Sequence, residues 1–192
     1  MTQTSLHRRG LLLGALALPL AAACAPTTRV NPLPREVRAG LRLAQVSVST
    51  QGAAFESSRA ADFASRLGPE LQAQLRREFS DRLDPAGVTL AVEVQRLNVA
   101  GSTGTAFGRD RSRLSGAVRI LDRDGRLMAT YPVAVIAGEA RETTLGALAS
   151  AAVTSAERFY RALIGDFART TRVEVLGADL PGARLIRQVT SN

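Results

Sequence analysis

Cys24 is the only cysteine of the chain and carries the side chain best suited to forming a covalent bond, because a thiolate is a strong nucleophile. An apolar run over residues 11–20 and three alanines precede it, and the pair Arg8-Arg9 stands before that run. A basic segment, an apolar stretch and small residues before a cleavage point are typical of an export signal peptide. The sequence therefore predicts that residues 1–23 are an export signal and that Cys24 is a modification site.

The alanines directly before Cys24 resemble the lipobox of bacterial lipoproteins, in which leucine, two small residues and cysteine direct diacylglyceryl transfer to the thiol. Leu20 stands one position earlier than in the family pattern, with Ala21 in its place. The resemblance implies a lipid anchor with acyl chains such as palmitate on Cys24, and Ala25 after it implies sorting to the periplasmic side of the outer membrane. The alternative is signal peptidase cleavage after Ala23 or Ala25, which leaves a soluble periplasmic protein with a free thiol.

The export route has two interpretations. Arg8-Arg9 followed by Gly10 resembles a twin-arginine signal, although His7 replaces the usual serine or threonine and Leu13 the usual lysine. A Sec signal with two arginines in its basic segment is the alternative.

The densest basic cluster comprises Arg109, Arg111 and Arg113. Guanidinium groups bind phosphate oxygens through paired hydrogen bonds, so the cluster is a candidate anion-binding site for lipid or glycolipid phosphates. The alternative is the solvated start of a strand.

Absent residue types exclude several kinds of site. The chain has 25 basic and 17 acidic residues, and removal of Arg8 and Arg9 with the leader leaves 23 minus 17, a net charge of +6. Every basic residue is arginine, and the one histidine, His7, lies in the leader. A mature chain without lysine, histidine or a second cysteine lacks the usual catalytic triads, Schiff-base lysines and zinc ligands. We therefore expect no enzymatic activity, no cofactor, no metal and no nucleic-acid partner.

Hydrophobic periodicity predicts the elements that follow the leader. We expect residues 24–36 to be the lipidated cysteine and an extended tether, residues 37–180 to be a single α/β domain, and residues 181–192 to be a C-terminal tail that is loose or forms an edge strand. One strand should contain a bulge at Ala44-Gln45, and a second strand should contain a bulge or end at Arg96, because the alternation of apolar residues shifts at these points. Two helices are expected over residues 57–83 and 143–167, the first kinked or restarted at Gly68-Pro69, and residues 173–176 are predicted as a last short strand.

This order predicts an α+β fold: a two-layer sandwich, with about four mostly antiparallel strands and both helices on one face, in the order β-α-β-β-β-α. With the leader, the arrangement resembles small envelope lipoproteins that serve as accessory subunits, such as the lipopolysaccharide-assembly lipoprotein or the auxiliary lipoproteins of ABC-type transporters. The resemblance implies a non-enzymatic lipoprotein that binds an envelope protein partner through a sheet edge or face. The alternative is a carrier or sensor of lipid or anionic glycolipid, with a groove between helices and sheet.

Overall fold

A computed structural model describes residues 30–100, 111–137 and 152–178, with side chains of the last range from residue 156 onward. Within these ranges, none of the helices is both long and apolar enough to cross a bilayer. A single-turn 3-10 helix covers Ser80–Arg82. The other elements, in chain order, are α1 (Arg35–Gly40), β1 (Leu43–Ser49), β2 (Ala54–Phe55), α2 (Ser58–Asp62), α3 (Ala64–Glu78), β3 (Val88–Asn98), β4 (Ser112–Leu121), β5 (Leu127–Ala137) and α4 (Ala152–Leu176).

The described strands form one mixed sheet with the order β1-β3-β4-β5. β1 lies parallel to β3, and the short β2 lies parallel to the later part of the same strand, where Ala54 pairs with Arg96. β3, β4 and β5 pair antiparallel. With helices against the sheet, this is the predicted two-layer α+β sandwich: β1 lies parallel to β3, and the two-residue β2 is added to the four expected strands.

Both predicted bulges are confirmed. The register of β1 against β3 shifts between Leu43 and Gln45, and the register of β3 against β4 shifts between Val94 and Arg96. An extra residue at each point restores the direction of the next apolar side chain, so that Val46 and Leu97 both remain buried. A shift in the alternation of apolar and polar residues therefore indicates a bulge, because the side chains of a strand change face at every residue.

The inner face of the sheet and the helices share one apolar core. Along β5 the burial alternates at every residue from Met128, so one face of that strand is covered and the other exposed. α4 packs on β4 and β5, α3 packs on β1, and the two helices contact each other. Large side chains that are fully buried in this core include Phe79, Phe167, Tyr160, Leu67, Leu71, Leu75, Leu90, Leu114 and Ile120.

The first predicted helix is divided at a different residue from the expected one. Ser57 caps α2, its side-chain oxygen accepting a hydrogen bond from the Ala60 amide, and the break falls at Phe63. Pro69 lies inside α3. It has no backbone N–H and therefore removes one hydrogen bond of the helix, but the helix continues through it. The predicted restart at Pro69 is therefore wrong, because α3 begins at Ala64 and continues through Pro69, whereas the kink at Gly68-Pro69 stays a prediction.

The predicted last strand is wrong. Residues 173–176 form the final turn of α4, which ends at Leu176. Four apolar or mixed residues fit a strand or a buried helix turn equally well, and only the contacts of α4 with the sheet distinguish them. The predicted start of this helix at Thr143-Thr144 lies outside the described residues, as does the tail over residues 181–192.

The chain upstream of β1 is packed more closely than an extended tether through Glu36 would be. A compact unit begins at Asn31. Leu33 is buried against the core, and α1 begins at Arg35. The packing of this segment depends on side chains distant in sequence, which the next section describes.

Candidate interaction surfaces at the two ends of the sheet

The sheet has two ends with different chemistry. The proximal end is where β1 and β3 begin and where β4 turns into β5; the distal end is where β3 ends and β4 begins. Because β1 starts directly after α1, the chain reaches the domain at the proximal end. The outer face is the face of the sheet that α3 and α4 do not cover.

Asn31 fastens the incoming chain at the proximal end. Its Nδ2 donates to the Glu174 carbonyl oxygen at 2.6 Å, while its Oδ1 accepts from the Tyr131 hydroxyl at 2.9 Å and from the Leu33 amide at 2.9 Å. One amide side chain thereby joins the first residues of the compact unit to α4 and to β5.

Arg38 completes this attachment from α1. Only 7% of the residue is exposed, and its guanidinium donates to the carbonyl oxygens of Leu33 at 3.1 Å and Leu176 at 2.6 Å. The last carbonyl groups of a helix lack partners within the helix, and a cation there is also favoured by the helix dipole. We call Asn31, Arg38 and Tyr131 the proximal clamp. No sequence signal singled these residues out, because their partners lie about a hundred positions or more away.

Burial of Tyr131 raises the pKa of its phenol to about 12. The hydroxyl therefore stays protonated at neutral pH and can act as the donor to Asn31. The clamp consists of neutral donors and one arginine, and its chemistry is that of attachment.

The β4–β5 turn at this end contains two carboxylates, Asp122 and Asp124. Asp122 Oδ1 accepts from the backbone amides of Asp124 at 2.9 Å and Arg126 at 2.8 Å. These amides, together with the Arg126 guanidinium, hold the pKa of Asp122 below its usual range. Gly125 follows with a φ of 79°, so the two carboxylates serve turn geometry.

At the distal end, an aromatic stack joins α4 to the segment between α2 and α3. The rings of Phe63 and Tyr160 lie 4.1 Å apart between centroids at an interplanar angle of 7°. The Arg66 guanidinium lies 5.5 Å from the Phe63 centroid and pairs with Glu70 at 2.8 Å and Glu157 at 3.0 Å. The hydrogen bonds from Arg66 lower the pKa of the Glu157 carboxyl. This cluster holds the two long helices together.

The Tyr160 hydroxyl is buried without a hydrogen-bond partner in the described part of the chain. Its burial raises the pKa of the phenol well above the ordinary value, with the nearby Glu70 carboxylate adding to the shift. An unpartnered buried hydroxyl lowers stability, in contrast to the satisfied hydroxyl of Tyr131 at the proximal end.

Two of the predicted anion-binding arginines lie at the distal end of the outer face. Arg113 pairs in register with Asn98 on one side and Ile136 on the other, and the Arg111 carbonyl oxygen accepts from the Asn98 amide at 3.2 Å. Both arginines are exposed. Among the described residues, neither Arg111 nor Arg113 forms an ion pair. Arg109, the third arginine of the cluster, lies outside the described residues, and so does the predicted lipidation site, Cys24.

Other arginines on the outer face are neutralised. Arg119 pairs with Glu93 at 2.7 Å, and Arg96 pairs with Glu56 at 2.8 Å. Next to the first pair lies a shallow depression of about 320 Å³, lined by Ser47, Val48, Ser49, Ala91, Val92, Glu93 and Arg119. The depression lies on the outer face, away from the helices, and its lining is half polar in character.

The layer between helices and sheet is filled wherever the structure describes it. Phe79, Phe167 and Leu163 lie there with no exposed surface, and they contact the inner face of the sheet as parts of one core. A groove for an acyl chain would need apolar side chains facing an open space.

No family model matches this chain, and no curated protein does either. Solved structures match it weakly. A protein described as a lipoprotein from Caulobacter crescentus CB15 has a TM-score of 0.40 and 19% identity, covering 74% of this chain and 96% of that chain. A minor lipoprotein from Acinetobacter baumannii has a TM-score of 0.41 and 14% identity, covering 73% and 96%. The PelC dodecamer from Paraburkholderia phytofirmans has a TM-score of 0.38 and 13% identity, covering 73% and 91%. Scores and identities this low carry no argument about what this chain does.

Proposed function

We propose that this protein is a non-enzymatic lipoprotein, anchored through Cys24 to the periplasmic side of the outer membrane, that binds an envelope protein partner. The observation that carries the proposal is the outer face of the sheet, which no described helix covers. An antiparallel sheet often faces water on one side, so the open face alone is ordinary. The leader ending at Cys24 and the unpaired arginines on that face are what favour an envelope partner.

The outer face offers a surface on which a partner can approach closely. Its middle rows carry small side chains, among them Ala91 on β3, Ala117 on β4 and Ala134 on β5, where Ala117 pairs with Glu93 and Pro132. Arg111 and Arg113 at the distal end supply positive charge without intramolecular partners in the described residues. We therefore expect the partner to present a flat apolar surface with acidic groups at its margin.

The free edge of β5 is a poorer site for strand addition. Pro132 stands in the middle of this strand opposite Ala117 and has no backbone N–H to donate. Proline on an edge strand is one of the devices that block pairing with another chain. The face of the sheet is therefore favoured over the β5 edge; the other edge strand of the described sheet is β1.

The alternative of a lipid carrier lacks a supporting observation. The side chains between helices and sheet are packed in the described part of the chain, and the depression on the outer face is shallow and half polar. Its volume is at the low end of the range for small-ligand sites.

Site-specific photo-crosslinking in intact cells tests the partner surface. A photoreactive amino acid at Ala134, on the outer face, should yield a discrete protein adduct. The same amino acid at Ala73, an exposed position on α3, is the matched control and should yield none. Adducts from Ala73 alone would place the partner on the helices, and adducts consisting of lipid at Ala134 would support the carrier instead.

The anchor is tested by Cys24→Ser. Loss of the thiol should move the protein from the membrane fraction to the soluble periplasmic fraction, because no thioether can form. Membrane retention equal to that of the wild-type chain would contradict lipidation as the means of attachment.

A further inference from the structure

We infer that the proximal end of the domain lies against the lipid bilayer, and that exposed aliphatic side chains of α1, β5 and α4 contact the membrane interface there. The inference rests on the proposed anchor at Cys24. It adds to that proposal a defined surface of the folded domain and an orientation.

The first observation is where exposed aliphatic side chains lie. From Asn31 onward, the described residues include six large apolar side chains that are at least 38% exposed. Single exposed apolar residues are ordinary on a protein surface, whereas their concentration in one region marks an interaction site. Five of the six belong to the proximal end: Val37, Leu83, Leu127, Met128 and Val173.

Pairing and hydrogen bonds place these five residues. Leu83 forms a bridge with Leu43 at the start of β1, and Leu127 pairs with Leu121 beside the β4–β5 turn, with Met128 next to it. Val173 stands in the last turn of α4, where its carbonyl oxygen accepts from the Gly177 amide at 2.8 Å.

Val37 lies in α1, next to Arg38, whose guanidinium contacts the end of α4. The sixth residue, Ile136, pairs with Arg113 toward the distal end. Nine residue steps separate it from Leu127, which corresponds to about 30 Å along an extended strand.

The second observation is the covalent path to the anchor. The proximal clamp fixes Asn31 to α4 and β5, and Cys24 stands seven positions before it. Seven residues reach at most about 25 Å even when fully extended. A lipid on Cys24 therefore keeps the proximal end within that distance of the bilayer.

The third observation is charge at this end. Arg42, before β1, and Arg123, in the β4–β5 turn, are both exposed. Arginine suits phosphate groups because its planar donors match their oxygens, and apolar side chains beside basic residues are typical of surfaces that lie in a membrane interface. Exposed carboxylates, among them Asp84 and Asp124, lie at the same end, so the inference rests on the aliphatic side chains and the two arginines rather than on a net positive charge.

The chain itself supplies a sharp test, because Cys24 is its only cysteine. Once its sulfur is in a thioether, a cysteine introduced elsewhere is the only free thiol. We would purify the lipidated full-length protein with Val37→Cys, Leu127→Cys or Ile136→Cys and attach a bimane fluorophore. Each variant would be inserted into phosphatidylethanolamine and phosphatidylglycerol vesicles that contain nitroxide-labelled lipids. Ile136 is the matched control, because its 44% exposure lies between those of Val37 and Leu127.

Nitroxide lipids should quench fluorescence at Val37 and Leu127 by about twofold or more, as expected for side chains in the interface, and should leave Ile136 unchanged. Equal quenching at all three positions, or none at Val37 and Leu127, would overturn the inference. Protection of those two positions from aqueous iodide without lipid quenching would also overturn it, since a protein would then cover them.

Bimane labelling of the wild-type chain distinguishes the absence of a lipid anchor from the absence of the membrane-facing surface. If bimane labels wild-type Cys24, its thiol is free, and the lipid anchor is contradicted along with the inference built on it. If wild-type Cys24 does not react and the quenching pattern is absent, the anchor stands and only the membrane-facing surface is overturned. Circular dichroism spectra and melting temperatures equal to those of the wild type for all three variants establish that the exposed substitutions leave the fold intact.

Discussion

The two ends of the sheet contain the same residue types, arginine and tyrosine, in different environments. At the proximal end a buried arginine, Arg38, donates to backbone carbonyl oxygens, and Tyr131 has a hydrogen-bonded hydroxyl. At the distal end Arg111 and Arg113 are exposed, and the buried hydroxyl of Tyr160 has no partner in the described residues. Arginine thus serves attachment at one end and remains available to a partner at the other.

This difference shows that residue type alone does not reveal a role. The basic cluster that stands out in the sequence is exposed in its described residues, whereas the buried arginine, Arg38, lies within α1. A guanidinium contributes most where it satisfies backbone groups that are otherwise buried and unpaired, because the cost of leaving them unpaired is then avoided.

The largest expected effect is alkaline destabilisation. Tyr131, with its pKa raised to about 12, and Tyr160, also raised, hold their protons in the folded state after the unfolded chain has lost them near pH 10. The unfolded state then binds fewer protons, so the contribution of these two tyrosines to stability is constant below about pH 10 and falls above it, by about 1.4 kcal/mol per pH unit for each tyrosine.

Urea unfolding at intervals from pH 8 to 12 measures this dependence. The chain has two tyrosines and no lysine, so the Tyr131→Phe, Tyr160→Phe double variant should lose most of it. Each single variant measures how much of the pH dependence comes from the tyrosine at one end of the sheet. A double variant that keeps the full slope would show that these phenols are not responsible.

The next largest expected effect is the difference in the free energy of unfolding between two arginine variants. Arg38→Ala leaves the carbonyl oxygens of Leu33 and Leu176 without these donors and should lower the free energy of unfolding by about 2 to 3 kcal/mol. Arg113→Ala, at the other end, should leave the free energy of unfolding unchanged within error. Chemical denaturation at pH 7 compares the two, and equal losses would refute the contrast between the ends.

The smallest expected effect is the difference in stability between the two single tyrosine variants at pH 7. Tyr131→Phe removes the donor to Asn31 and should cost about 1 kcal/mol of stability, whereas Tyr160→Phe removes an unpartnered hydroxyl and should be neutral or stabilising by up to about 1 kcal/mol. Melting temperatures of the same two substitutions should therefore shift in different directions. A loss at Tyr160 as large as that at Tyr131 would indicate that its hydroxyl has a partner.

Patterns repeated over several residues made most of the fold predictable. Alternation in β3, β4 and β5 predicted the strands, and its shifts predicted both bulges, because a strand changes face at every residue. The stripe of Leu67, Leu71 and Leu75 predicted the buried side of α3. Short segments were less informative: residues 173–176 fitted a strand until the contacts of α4 showed them to be helical.

The amino-acid sequence by itself predicted the layered architecture, which the structure confirms, and an export leader with a modification site at Cys24, which stay predictions; each depends on patterns among residues close together in the chain. Only the tertiary structure brought Asn31, Arg38 and Tyr131 into one clamp and placed five exposed aliphatic residues at one end of the sheet. Those groups come from four separate segments. Their proximity follows from strand order and helix packing, which depend on contacts between residues far apart in sequence and leave no local pattern to read.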